Sequence, residues 1–325
     1  MNLSSLAVAL VLAAPVELIP LPGGPPVGMD YLAYDAANSR IWVPAGNTGR
    51  IDVLNTQTGK LDVLEHIATA NRGERTVGAS AAAIGDGIAY VGNRADSTVC
   101  GFDAKTLARR GCATLSSNPD GLAYIPITKE VWVTTPRDRS IAVLDVKDPA
   151  APRPAAVVNM EGKPEGYAVD RARGIFFTNL EDKDRTVAVD VRGRRVLSTW
   201  TPGCGENGPR GLALDEGRHQ LFVACTDRLK TLDATSGAIL AELPTGAGVD
   251  NIDFLPSRRL VYAASGREGR LTVAAVGQDG TLKVAFTSGT AVGCRTVIVD
   301  NAGTAYLPDA RSGRIVVVRL AARDR

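Results

Sequence analysis

Four acids and two arginines hold equivalent places in a sequence unit that recurs along this chain: Asp30, Asp120, Glu165, Asp250, Arg210 and Arg295. A seventh unit carries Ala79 there. Each stands just before a short apolar run, with Tyr31, Ser80, Asn251 and Cys294 as sequence neighbours. Gathered at one centre, such a set could do two kinds of chemistry. The oxygens of Asp120, Glu165 and Asp250 could hold a hard cation, Ca²⁺ or Mg²⁺. The guanidinium groups could orient an anionic or polar small molecule. The third outcome needs no ligand. Arg210 stands one unit from Glu165 and Asp250. Arg295 stands one unit from Asp250 and, if the units close on themselves, from Asp30. The signs could then cancel as ion pairs. Glu206, with Asn207 beside it in the loop before Arg210, could overhang the same centre.

The elements that must position these groups are legible in a four-residue phrase. It reads Trp42-Val-Pro-Ala, Tyr90-Val-Gly-Asn, Trp132-Val-Thr-Thr, Phe176-Phe-Thr-Asn, Phe222-Val-Ala-Cys, Tyr262-Ala-Ala-Ser and Tyr306-Leu-Pro-Asp. The spacing is about 45 residues, the period of a stacked supersecondary unit. An aromatic, an aliphatic and then small or polar residues make a strand running into a turn. Around the fifth phrase the unit resolves into four strands. They are Gly211-Leu-Ala-Leu (a), Gln220-Leu-Phe-Val-Ala (b), Leu229-Lys-Thr-Leu (c) and Ala238-Ile-Leu-Ala-Glu-Leu (d). Asp, Asn and Gly punctuate them, as at Asp233-Ala-Thr-Ser-Gly. No amphipathic helical pattern of useful length interrupts them. The expectation is an all-β, seven-bladed propeller of four-stranded antiparallel blades.

The two ends support ring closure. The last unit stops after strand c near Leu320, while the chain opens on Val16-Glu-Leu-Ile-Pro, which matches Ala241-Glu-Leu-Pro. The N-terminal strand is therefore predicted to complete the last blade and hide its edge. Pro20 and Pro22 fit an outermost strand, where a missing donor faces solvent. The d–a and b–c loops then share one face, and the six charged residues ring its channel mouth.

The phrases Tyr90-Val-Gly-Asn and Phe176-Phe-Thr-Asn, each followed by strand c and an Asp or Thr-Gly turn, resemble the YVTN-repeat seven-bladed propeller family. The resemblance covers residues 16–320. It implies a propeller of secreted or periplasmic type, but no single activity, because this architecture hosts many. Gluconolactonase propellers place Glu, Asn and Asp around a divalent ion, parts that Glu165, Asp120, Asp250 and Asn251 could play. Streptogramin lyase propellers need a histidine at the mouth. This chain has His66 and His219, placed by the repeat on an outer strand and in an a–b turn of the opposite face.

Residues 1–14 form an apolar leader, Leu6-Ala-Val-Ala-Leu-Val-Leu-Ala-Ala, like a signal-peptide core but with no Lys or Arg before it. Residues 15–325 form the propeller. Cys100 and Cys112 flank a c–d turn and should face each other across two strands. Cys204 and Cys225 fall at one edge of a sheet, and Cys294 is left over. Two disulfides would suit an oxidising compartment; five reduced thiols would suit the cytoplasm. Net charge is +2, and charged residues make up 22% of the chain. Mixed signs on the a–b turns argue against a nucleic-acid footprint and leave a small polar molecule or a protein partner. No apolar run approaches the length of a membrane-spanning helix.

Two motifs read as decoys. Gly203-Cys-Gly-Glu-Asn-Gly spells a dinucleotide fingerprint, but Pro209 and a strand follow it, not a helix. Glu181-Asp-Lys-Asp lacks the ligand spacing and central glycine of a calcium loop. The long d–a loop 67–77 is read as a tolerated insertion or as a partner-contact segment.

Overall fold

The computed structural model describes residues 16–206 and 208–320; the leader and Asn207 lie outside them. The described residues form seven four-stranded antiparallel sheets and one two-stranded hairpin. Among the described residues, helix is confined to 3₁₀ turns at Gly46–Thr48 and Pro136–Asp138. Blades one to seven follow chain order. Their innermost strands are Ala33–Asp35, Ala79–Gly85, Leu122–Ile125, Pro164–Asp170, Pro209–Asp215, Ile252–Leu255 and Ile298–Val299.

Closure is as expected from the ends. Val16–Pro20 pairs antiparallel with Arg314–Val318, from Val16 opposite Val318 to Pro20 opposite Arg314. The first described strand is thus the outer strand of blade seven.

The phrase aromatics are the packing units. Trp42, Tyr90, Trp132, Phe177, Phe222, Tyr262 and Tyr306 each lie opposite one residue of strand a: Ala33, Ala83, Ala123, Ala168, Ala213, Asp253 and Ile298. Cross-strand partners share a sheet face. The space between blades is a wedge that narrows toward the axis, so a large ring fills its outer part and a small residue suits the inner part. All seven aromatics are buried. They also reach across blades: Phe222 and Phe254 lie 4.9 Å apart between centroids, and Trp132 and Phe176 5.2 Å. Fully burying one such ring stabilises by about 2–3 kcal/mol.

Blade four departs from the predicted frame by one residue. Ile175 begins strand b, so Phe177, not Phe176, holds the phrase position. The run Ile175-Phe176-Phe177 offers two aromatics in succession, and the a–b turn length decides between them.

The turn residues act through their side chains. Asp233 Oδ1 accepts the N–H groups of Thr235 at 2.9 Å and Ser236 at 2.7 Å, and Gly237 closes that turn at φ 76°. A Cβ on Gly237 would enter the Trp200 indole. Asn55, Asp103, Asp145 and Asp190 cap the matching turns of other blades. Both predicted cysteine pairs are disulfides, Cys100–Cys112 and Cys204–Cys225. Cys294 is free and buried, and burial pushes its thiol up to about 11.

Candidate functional site

Strand register places the charged ring. The residue three before each innermost partner of a phrase aromatic is Asp30, Ser80, Asp120, Glu165, Arg210, Asp250 or Arg295. Six of these are the predicted residues. In blade two a bulge between Ala79 and Ala81 gives the position to Ser80 instead of Ala79. Backbone bonds between neighbouring blades fix the ring. Asp250 donates its N–H to Arg295 O at 3.0 Å, and Gly211 donates to Asp250 O at 2.6 Å. Tyr31 donates to Ser80 O at 3.1 Å.

Arginines meet most of the ring acids, though only partly as the sequence suggests. Arg295 Nε lies 3.1 Å from Asp250, and its Nη2 lies 3.9 Å from Asp30, the predicted pairing. Arg210 turns instead to Glu181, on the strand b side of blade four. The group that the repeat alignment missed is Arg94. Its Nη2 donates to Asp30 at 2.8 Å and also to Asp120, bridging blades one and three. Arg94 and Glu181 are equivalent, each the first residue after strand b of its blade. A charge directly after the phrase was the available signal. The residue at that point is uncharged in the other five blades: Gly46, Pro136, Thr226, Gly266 and Ala310.

The ring holds more carboxyl than guanidinium. Burial, and then the Asp120 charge, push Glu165 up to about 9, so it keeps its proton at neutral pH. Burial also carries Asp120 up to about 6 against the pull of Arg94, and its Oδ2 is buried without a hydrogen-bond partner among the described residues. Asp250 is raised by burial and opposed by Arg295. Of the predicted cation set, Asp120 and Asp250 face the guanidinium groups of Arg94 and Arg295, and burial disfavours the charged form of Glu165. Among the described residues, no three His, Cys, Asp or Glu side chains gather closely enough to hold a metal ion.

Asn251 lies below the ring, where its Oδ1 accepts its neighbour Ile252 N–H at 3.0 Å. Glu206 is exposed and has no hydrogen bond or ion pair among the described residues. The two decoy motifs meet each other. Asp184 accepts the N–H groups of Cys204 at 3.0 Å and Gly205 at 3.1 Å, so one loop caps the other. No helix follows the glycines.

The long loop of blade one carries a feature that its sequence did not announce. Ala70–Arg72 and Arg75–Val77 pair as a hairpin standing on the mouth face. Two clefts lie against it. One, of about 170 Å³, is lined by Asn47, Thr76, Ser80, Asp30, Arg94 and Arg295. The other, of about 260 Å³, is lined by Arg72, Val77, Arg94, Asn118, Asp120 and Arg137, among others. Arg94 lines both.

Beneath the ring, Tyr31 and Tyr167 approach across the axis at 5.9 Å between centroids. Below them the axis opens into a cavity of about 500 Å³ that extends to the a–b turns at Arg171, Glu216 and Pro256.

The fold is that of a seven-bladed propeller. The chain superposes on the RRP9 WD40 repeats with a TM-score of 0.77, at 14% identity over 95% of this chain and 99% of that one. A chain of the Kuenenia stuttgartiensis hydrazine synthase gives 0.74 at 14% identity, covering 92% and 96%. A chain of the mitotic checkpoint complex gives 0.77 at 12% identity, covering 98% and 96%. At such identities the likeness is one of architecture. No family model and no curated protein sequence matches the chain.

Proposed function

We propose that the protein is a secreted or periplasmic propeller that binds, and does not transform, a small polar ligand or a protein partner through its mouth face. The observation that carries this reading is the pairing of the ring acids. Asp30, Asp120 and Asp250 already face Arg94 and Arg295, and Arg210 faces Glu181. Guanidinium groups beside these carboxylates oppose a dication and suit a ligand carrying its own carboxylate or phosphate. The clefts against the hairpin, with Arg72, Arg94 and Arg137 exposed or half-buried, supply the donors. Two disulfides suit an oxidising compartment. Similar propellers sit in assemblies such as the mitotic checkpoint complex, which is in keeping with a scaffold role.

The test is thermal denaturation with Ca²⁺, Mg²⁺ or EDTA, and separately with succinate or inorganic phosphate. Binding to the native state alone raises the midpoint. The proposal expects no response to the cations and a rise with an anion that Arg94→Met and Arg137→Met abolish. A cation-dependent rise reversed by EDTA would instead support a lactonase-like hydrolase centred on Asp120, Glu165 and Asp250.

A further inference from the structure

The central cavity is a separate feature from the mouth clefts. The layer of strand a residues opposite the phrase aromatics is alanine in five blades, and this keeps the axis wide. In blade six the same position is Asp253. A carboxylate thus stands where the other blades place an apolar side chain. Its Oδ1 accepts its neighbour Phe254 N–H at 2.8 Å, and its Oδ2 accepts Val299 N–H of blade seven at 2.7 Å. Each oxygen keeps lone-pair capacity. Among the described residues Asp253 has no Arg, Lys or His partner within ion-pair distance. The charged groups at the cavity rim are matched: Arg171 lies 2.8 Å from Glu216, and Asp215 pairs with Arg259. Tyr31, Tyr34, Tyr124 and Tyr167 also line the space.

We propose that this cavity binds an organic ammonium ion with an aromatic or aliphatic body, its charged head held by Asp253 and its body packed against the tyrosines. Four observations meet in this assignment. A volume of about 500 Å³ lies in the range of small-molecule sites. A carboxylate without a cationic partner, in a wall that mixes polar groups with tyrosine and aliphatic side chains, selects a cation over an anion. Tyrosine faces attract ammonium groups. The ring above adds a field of the same sense: with Glu165 protonated, four further carboxyls (Asp30, Asp120, Glu181, Asp250) stand against three guanidinium groups (Arg94, Arg210, Arg295). That surplus acts on Tyr31, whose hydroxyl is held well above its usual range by burial and then by Glu165, Asp120, Asp30 and Asp250. Burial holds the Asp253 carboxyl up at about 7, and a neighbouring cation would favour its ionised form.

The experiment is isothermal titration of the full chain with 2-phenylethylammonium and with 2-phenylethanol, which differ in the charged head alone. The ammonium should bind at least about tenfold more tightly. Asp253→Asn should erase that preference and leave the alcohol's affinity unchanged. Ala213→Phe, which fills the cavity from the equivalent position of the neighbouring blade five, should weaken both ligands. Circular dichroism confirms that each variant is folded. If Asp253→Asn fails to fold, the wild-type preference and the Ala213→Phe loss decide the matter. Equal affinity for the two ligands, no binding of either, or a preference that survives Asp253→Asn would overturn the assignment.

Discussion

Replacing Arg94 by Met keeps the aliphatic stem and removes the guanidinium that bridges Asp30 and Asp120. The side chains of Arg94, Asp30 and Asp120 are 32%, 16% and 14% exposed. Breaking a fully buried pair costs about 3–5 kcal/mol, and losing an exposed pair costs under about 1 kcal/mol. The exposures place this case between them, at about 2 kcal/mol, or a fall of about 4 °C in melting midpoint for a chain of this size. The pH dependence is the sharper signature. Asp120 is held at about 6 in the folded state, against about 3.9 in an unfolded chain. Without Arg94 its folded value rises further. A group that binds its proton more tightly when folded gains stability as pH falls toward the unfolded value. The penalty should therefore be largest above about pH 7 and shrink steadily toward pH 5. Urea denaturation followed by circular dichroism at several pH values measures it. A double-mutant cycle with Asp120→Asn should return a coupling above about 1 kcal/mol. A loss below about 0.5 kcal/mol, or one that does not change with pH, would show that the bridge is screened by solvent and that the mouth network has no structural weight.

Three further outcomes follow from the same structure. Glu165 binds its proton up to about 9 when folded, so wild-type stability should decline as pH rises from about 5 to 9; Glu165→Gln should flatten that decline and raise the midpoint at pH 9, as read by scanning fluorimetry. The Cys204–Cys225 bridge closes a separation of 21 residues, and replacing both cysteines by Ala should cost about 3 kcal/mol in chemical denaturation, with a larger loss when dithiothreitol opens both bridges of the wild type. Deleting residues 1–20 strips the outer strand from blade seven and bares the Arg314–Val318 edge; gel filtration should show association or aggregation, and a monomer of unchanged midpoint would refute the closing role.

The architecture was legible because it is written seven times. A one-residue misreading in blade four, Phe176 for Phe177, did not disturb it, since six other phrases fixed the period. The cysteine pairs were legible because a hairpin turn and a shared sheet edge each place two backbones within disulfide reach. The site was only half legible. Alignment locates backbones, and six ring residues came from it. Arg94 escaped because it belongs to a different row of the repeat and reaches the ring through a long side chain. Arg210 chose Glu181 over Glu165 for the same reason. The bulge at Ser80 and the hairpin at Ala70–Val77 arise from local insertions that periodicity cannot register. The hollow axis has its own sequence signature, an alanine three residues after most ring positions, but its meaning depends on the convergence of the blades.

The pairing of Val16–Pro20 with Arg314–Val318 imposes an order on how this chain matures. Two segments separated by roughly 300 residues must meet, at a loop-closure cost of roughly 5 kcal/mol beyond a constant. Blades one to six draw all their strands from contiguous sequence and can condense as synthesis proceeds, whereas the seventh stays incomplete until its last residues have been made. Until then the nascent arc carries an unsatisfied ladder at each extremity. Joining these is the event that converts an open crescent into a sealed disc, and a chaperone that shields either extremity would hold the chain in its unsealed form.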